Sequence, residues 1–224
     1  MVLKRVIWLA LLIVYPACAN TIIVTGVDSA LGWQQSLYIN ENGSNNQLYW
    51  SGAIDISIDG WTRQVFCVDL FTNIGISTYN STLDFADTPN LKRVGWLLEN
   101  QFPITQLAGA AFQLAIWDIV HDNGDGFAVG AGKISQSTDA AHPTDLGVLN
   151  AAAQYEAVSV GQSSTLGIVY KNVTLSSGTP VQNLMGREAT DGGPFPKTPE
   201  PTAFLMIVSG LALIGLGRVR RRRR

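Results

Sequence analysis

The stretch GAAFQLAIWDIVHD, residues 109–122, decides the fold of this chain. It is apolar almost all round, and a helix that is hydrophobic on every side belongs in the middle of a domain. Gln113 breaks the pattern, because no polar side chain lies three or four positions away from it. A buried amide without partners costs free energy. We therefore expect a group from elsewhere in the chain to meet this amide, and the candidate is Cys67.

The N-terminal residues are arranged like a targeting signal. Basic and apolar residues over 4–14 precede a small-residue site formed by Ala17 and Ala19. This order is typical of a secretory signal peptide, here residues 1–19, with cleavage after Ala19. A lipoprotein with Cys18 as the lipidated residue is the alternative. The residues just before Cys18 are poor ones for that signal, so the sequence favours the simple signal peptide.

The C-terminal residues are also arranged like a targeting signal. Pro199-Glu200-Pro201 comes first, an apolar segment follows over 203–217, and a run of arginines ends at Arg224. Fifteen residues with three glycines are few for a bilayer core about 30 Å thick. The arginines would hold their end on the cytoplasmic side. A short segment with a basic end predicts a processing signal rather than a permanent anchor.

Between these ends, residues 20–185 are enough for one domain with a sizeable core, and residues 186–198 are a linker. Charge is distributed unevenly along the chain. Residues 20–197 contain seven basic and sixteen acidic residues, so the body is acidic although the whole chain is almost neutral. An acidic body argues against nucleic acid as a partner.

Periodicity and turn signals predict an α+β fold that is rich in strands, with a few packed helices. An N-cap at Thr105 would start the central helix, and the sequence DNGDG after it would end that helix. We expect irregular structure over 73–88. The predicted strands are 21–27, 47–58, 62–72, 166–175 and 180–185, and the other predicted helices are 89–99 and 144–157.

Cysteine usage points to chemistry at Cys67. Once the signal peptide is removed, Cys67 is the one cysteine of the mature chain, so no intramolecular disulfide can form. A small buried residue is the simplest interpretation of such a cysteine. The alternative joins the two unusual residues: the thiol attacks the Gln113 carbonyl, ammonia leaves, and an internal thioester results. We place Cys67 at the centre of its strand.

An internal thioester needs two reacting groups held together and water kept away. Phe66, Phe112, Ile116 and Trp117 would form the dry surroundings. Gly109, one helical turn before the glutamine, lacks a side chain and would let a strand approach closely.

These residues resemble the Cys–Gln thioester domain of bacterial surface proteins. In that family a cysteine after an aromatic residue joins a glutamine in a TQxA-type helix. Cys67 matches the thiol partner, and Gln113, Ala115 and Ile116-Trp117 match the helix. Phe112 stands where the family commonly has threonine. The resemblance implies a β-rich thioester-domain-like fold and covalent attachment to an amine or hydroxyl of a host or matrix molecule.

The C-terminal order of motif, apolar segment and arginines resembles the PEP-CTERM sorting signal, residues 199–224 here. The resemblance implies processing by an exosortase-type enzyme. It also implies passage through the inner membrane of a Gram-negative-type bacterium, held there by 203–217 before processing. The destination would be the cell surface or an exopolysaccharide-containing extracellular matrix.

The leading hypothesis is therefore a surface-sorted adhesin or matrix component that captures a nucleophile once and is not an enzyme. The alternative is a passive exopolysaccharide-associated or carbohydrate-binding β-domain with a buried, unreactive Cys67. The sequence around His121 approximates a calcium loop, but His121 and Gly132 stand at its first and twelfth ligand positions. We interpret it as a helix-ending turn and predict no metal and no cofactor. A cysteine hydrolase using His121 or His142 is disfavoured, because His142 has no recognisable catalytic context.

Overall fold

The computed structural model describes residues 20–39, 46–70, 72–130 and 132–187. They belong to a compact unit, Met1–Glu188. The described elements are, in chain order, β1 (Asn20–Ile39), β2 (Gln47–Ile58), β3 (Trp61–Cys67), β4 (Ser77–Phe85), α1 (Pro89–Asn100), α2 (Gln106–Asp122), β5 (Ile134–Gln136), α3 (Leu146–Ser159), β6 (Ile168–Leu175) and β7 (Leu184–Gly186).

The seven strands form one antiparallel sheet in the order β2-β3-β7-β6-β4-β1-β5. The long β1 also pairs with β2, so the pairings join six of the strands into a ring, and β5 pairs with the far end of β1. This confirms the prediction of a β-rich fold with a few helices. Residues 1–19 and 199–224 lie outside the described residues, as does the linker from residue 188 onward.

The central helix α2 begins and ends where its sequence indicates. The Thr105 hydroxyl accepts a hydrogen bond from the Ala108 N–H, which confirms the predicted N-cap. At the other end Asn123 adopts the left-handed conformation (φ 63°), which asparagine tolerates better than most residues. Every residue from Gly109 to Ile119 is buried. The prediction of a fully buried helix is therefore confirmed.

A close backbone contact holds α2 against β1. A Cβ atom on Gly109 would lie 2.3 Å from the Leu31 carbonyl oxygen, well inside contact distance. Beside it, the Ser51 hydroxyl of β2 donates a 2.6 Å hydrogen bond to the Ala110 carbonyl. The absence of a side chain at Gly109 thus lets the strand approach, as the sequence predicted.

Two predictions need correction. The first strand extends to Ile39, well beyond residue 27, because β1 pairs in turn with β4, β2 and β5. Residues 77–85, predicted to be irregular, form β4. This strand exists because it pairs with β6, and a local sequence pattern does not reveal such pairing.

Within the described part of the chain, no helix has the length and hydropathy needed to cross a membrane.

We predict that Gly109→Ala destabilises the protein by about 1–3 kcal/mol, the usual cost of overpacking. The new methyl group would meet the main chain of Leu31, which cannot rotate away as a side chain would. Urea unfolding followed by tryptophan fluorescence measures the change. Gly26→Ala in β1 is the matched control, because no atom lies within 4 Å of its added Cβ. Equal stability of the two variants would contradict the prediction.

Candidate functional site

Cys67 lies at the end of β3 rather than at the centre of a strand, which corrects the prediction for residues 62–72. The physical reason is the short partner strand: β7 has three residues, and the ladder ends where Cys67 faces Leu184. One further main-chain bond, from the Val68 N–H to the Asn183 carbonyl at 3.0 Å, extends the contact. The chain then leaves the sheet. Cys67 is nevertheless buried, with 5% of its surface exposed.

The side chain of Gln113 meets the main chain of Cys67. The Cys67 N–H donates to Gln113 Oε1 at 2.9 Å, and Gln113 Nε2 donates to the Cys67 carbonyl at 2.8 Å. The amide therefore pairs with β3 as a neighbouring strand would. Gln113 is fully buried, so these two bonds supply the partners that a buried amide requires. The two residues that the sequence singled out are in direct contact.

The sulfur of Cys67 faces a different glutamine. Its thiol donates to Gln182 Oε1 at 2.9 Å, and Gln182 Nε2 in turn donates to the main-chain carbonyl of Asp69. Gln182 is buried, 6% exposed, and lies two residues before β7. Sequence reasoning missed this residue. No comparable signal marks it, because Gln182 is followed by the polar Asn183, whereas Gln113 stands alone in an apolar segment.

Aromatic rings surround this region. Phe66 and Phe112 pack at 4.9 Å between ring centroids, and Phe112 meets Tyr155 edge-on at 5.1 Å. Phe66, Phe112 and Ile116 belong to one buried cluster with Val68, which follows Cys67, and with Met185 of β7. Phe66, Phe112 and Ile116 are fully buried.

The other two predicted neighbours are placed differently. The Trp117 ring is buried and packs edge-on against Tyr49 of β2, 6.3 Å between centroids, and it is not part of that cluster. Ala115 is fully buried within α2.

Burial raises the pKa of the Cys67 thiol far above its usual range, and the negative charge of Asp69 raises it further. The sulfur therefore carries its proton at neutral pH. A protonated thiol is a poor nucleophile toward external reagents. Its hydrogen-bond partner is an amide oxygen, which is not a general base. This arrangement does not favour the cysteine hydrolase hypothesis.

A cleft of about 500 Å³ borders the segments that carry Cys67 and Gln182. Val68 and Asp69, which follow Cys67, form part of its wall, and so does Asn183, which follows Gln182. The other wall residues are Thr88, Asn90, Leu91, Val120, Val169 and Lys171. Cys67 and Gln182 themselves are not among these wall residues, so the cleft lies beside the site without containing it.

We predict that Gln113→Leu destabilises the protein by about 2–4 kcal/mol. The variant leaves the N–H and the carbonyl of Cys67 buried without partners, and each unsatisfied group costs about 1–3 kcal/mol. Urea unfolding measures the loss. Gln106→Leu on the same helix is the control, since Gln106 is exposed and makes one long bond, 3.3 Å to the Gly32 carbonyl. A loss no larger than that of the control would contradict the prediction.

Comparison of the chain with protein-family models, with curated proteins and with solved structures finds no match. The functional argument therefore rests on the residues and contacts described above.

Proposed function

We propose that this protein is a surface-sorted thioester protein, in which a glutamine side chain acylates the sulfur of Cys67 for covalent attachment to a surface nucleophile. The observation that carries the proposal is the 2.9 Å contact between Cys67 Sγ and Gln182 Oε1 in the protein interior. The carbonyl carbon that the thiol would attack is bonded directly to this oxygen. Holding two such groups together is the main requirement of the reaction.

Two glutamines compete for the role of acyl donor. Both polar atoms of the Gln113 side chain bind the main chain of Cys67, whereas the Gln182 amide faces the sulfur. We therefore infer that Gln182 donates the acyl group and that Gln113 is a positioning residue, which holds Cys67 in place. The Cys67–Gln113 thioester predicted from the sequence is the competing assignment, and the experiment below distinguishes the two.

The reaction balances without a cofactor. The Cys67 sulfur forms a bond to Cδ of Gln182, the bond from that carbon to Nε2 breaks, and the nitrogen leaves as ammonia with the thiol proton. The main-chain carbonyl of Asp69 already accepts a hydrogen bond from this nitrogen and orients the leaving group. The buried aromatic cluster limits hydrolysis of the product.

Capture of the target uses the acyl group once. An amine, such as a lysine side chain, or a sugar hydroxyl on the host or matrix attacks the carbonyl carbon. The bond to sulfur breaks, the Cys67 thiol returns, and the target stays attached to the glutamine side chain. Because nothing regenerates the thioester, the protein is a single-use adhesin or matrix component rather than an enzyme. The cleft beside Val68, Asp69 and Asn183 offers the target a route.

Export and sorting rest on the sequence. The signal peptide of residues 1–19 would direct the chain across the inner membrane, and the signal of residues 199–224 would present it to an exosortase-type enzyme. The final location would be the cell surface or an exopolysaccharide matrix. The competing function is a passive matrix or carbohydrate-binding domain with an unreactive Cys67. It would be exported and sorted in the same way, but it would form no thioester.

We predict that the freshly purified protein weighs less than its sequence by one ammonia and has no titratable thiol after denaturation in acid. Methylamine should restore the thiol and modify one glutamine, because a single aminolysis does both. Intact-mass and tandem mass spectrometry locate the change. Methylamine on Gln182 supports the assignment above, and methylamine on Gln113 would transfer the acyl role to that residue. A protein of full sequence mass with a titratable Cys67 would contradict the thioester proposal and support the passive matrix or carbohydrate-binding domain.

Three variants are the controls for this measurement. Cys67→Ala and Gln182→Ala should each abolish the loss of ammonia and the uptake of methylamine. Gln113→Asn, whose amide is one methylene shorter, should retain thioester formation in part, because a positioning residue is not consumed. Circular dichroism shows whether each variant keeps the fold.

We predict that replacing Pro199, Glu200 and Pro201 with alanine leaves the segment 203–217 uncut. The protein should then remain in the inner membrane, because the arginines hold the end of the segment on the cytoplasmic side. Membrane fractionation with immunoblotting of the native host measures the location. Wild-type amounts of this variant at the cell surface would contradict the sorting proposal and leave the thioester proposal unaffected.

A further inference from the structure

Three helices meet near the C-terminal end of α2. Asp118 of α2 and Glu156 of α3 are both buried there. Arg93 of α1 reaches the same place, where it donates to the Glu156 carbonyl at 2.7 Å and to the Ser159 hydroxyl at 2.8 Å. Acidic side chains are almost never fully buried unless they are paired. The partner of each carboxyl group therefore matters for how α3 is held.

The two buried carboxyl groups are partners of each other. The side chains of Asp118 and Glu156 are hydrogen-bonded together, and Oδ2 of Asp118 also accepts a 3.0 Å bond from the Gly126 N–H. No N–H or hydroxyl of the described residues reaches Asp118 Oδ1 or Glu156 Oε1. An ionised carboxylate is an acceptor only. A hydrogen bond between the two side chains therefore requires a proton on one of them.

The charges of this junction balance only with that proton. Arg93 is the cation that acts on both groups, and one carboxylate offsets its charge. A second carboxylate would be a buried charge without compensation. Arg93 does not contact either carboxylate, because its hydrogen bonds go to uncharged acceptors: the carbonyls of Asn123 and Glu156 and the Ser159 hydroxyl.

The surroundings place the proton on Glu156. Burial, followed by the negative charge of Asp118, raises the pKa of Glu156 to about 9. Burial also raises the pKa of Asp118, but a main-chain hydrogen bond to its carboxylate opposes this. Asp122 and Asp125, at the end of α2 and in the loop after it, add further negative charge. His121 is the remaining ionisable residue of this end of the helix.

We propose that Asp118 and Glu156 share one proton at neutral pH, and that its loss in alkaline solution releases the end of α3 from α2. Without the proton, the hydrogen bond becomes a repulsion between two buried carboxylates. Tyr155, next to Glu156, packs its ring edge-on against Phe112 of α2 at 5.1 Å. The segment of α3 that is released therefore also covers the buried aromatic cluster. This proposal does not depend on the thioester.

The shared proton makes the stability of the fold depend on pH. In the unfolded chain Glu156 has its ordinary pKa of 4.5, whereas in the folded protein its pKa is about 9. Between these values the folded state holds one proton more, so stability falls as the pH rises. The contribution is fully present below pH 4.5 and is lost above about pH 9. The buried Cys67 thiol, with its raised pKa, acts in the same direction only near and above its ordinary pKa of 9.0.

The test is urea unfolding of the full-length protein between pH 6 and 8, below the range in which Cys67 contributes. Relative to Glu156→Gln, the unfolding equilibrium constant of the wild type should rise about tenfold per pH unit, which corresponds to the release of one proton. The Gln amide donates to Asp118 at every pH, so this variant should lack the rise. Glu99→Gln is the matched control, because Glu99 is exposed on α1, and it should behave as wild type.

Two further measurements follow the proton and the helix separately. Infrared spectroscopy of the wild type at pH 7 should show the C=O stretching band of a protonated carboxylic acid, and Glu156→Gln should lack this band. Hydrogen exchange, corrected for the intrinsic rate at each pH, should show that α3 amides lose protection between pH 6 and 8 and exchange before those of β2.

The absence of the acid band from the wild type at pH 7 would overturn the shared proton. An equal dependence of unfolding on pH in wild type and Glu156→Gln would also overturn it, because the proton would then be held elsewhere. Exchange of α3 amides only together with those of β2 would overturn the release of α3.

Discussion

The pair of hydrogen bonds between the Gln113 amide and the main chain of Cys67 determines how the central helix sits against the sheet. Hydrophobic packing is not directional, and α2 is apolar on all sides, so burial alone would allow many rotations of this helix. The Gln113 amide allows only one rotation of the helix, because its oxygen and nitrogen must both reach the main-chain N–H and carbonyl of Cys67. The close contact of Gly109 with Leu31 then fixes the distance between helix and strand.

The same position decides what the sulfur can reach. Cys67 is the last residue of β3 to pair with β7, and beyond it one main-chain bond, from the Val68 N–H to the Asn183 carbonyl, continues the contact. Gln182 lies just outside the ladder, so its side chain is free to turn back toward the thiol while its nitrogen binds the Asp69 carbonyl. Gln113 on α2 binds the main chain of Cys67, and Gln182 next to β7 binds its sulfur.

Much of the fold was predictable, because its signals are local. The periodicity of residues 47–58, the N-cap at Thr105 and the turn after Asp122 depend on residues close in sequence, and the structure agrees with all three. The full length of β1 was not predictable. Its second half is a strand because it pairs with β2 and β5, and such pairing is a property of the tertiary structure.

The candidate site divides in the same way. Cys67 and Gln113 could be chosen from the sequence, because each is chemically out of place in its own segment. Gln182 could not, since its importance comes from a contact with a sulfur 115 residues away.

Under the proposed function, a buried thioester must be dry and yet within reach of its target, and the cleft lined by Val68 and Asn183, the neighbours of Cys67 and Gln182, is the proposed route to it. Lys171 is part of the cleft wall and would itself be a nucleophile as a free amine. Hydrogen bonds from its ammonium to Asp87 at 2.7 Å and to Asp84 at 3.0 Å raise its pKa. The amine therefore stays protonated at neutral pH and has no lone pair for attack. Under the proposed function, this leaves the acyl group to an external nucleophile.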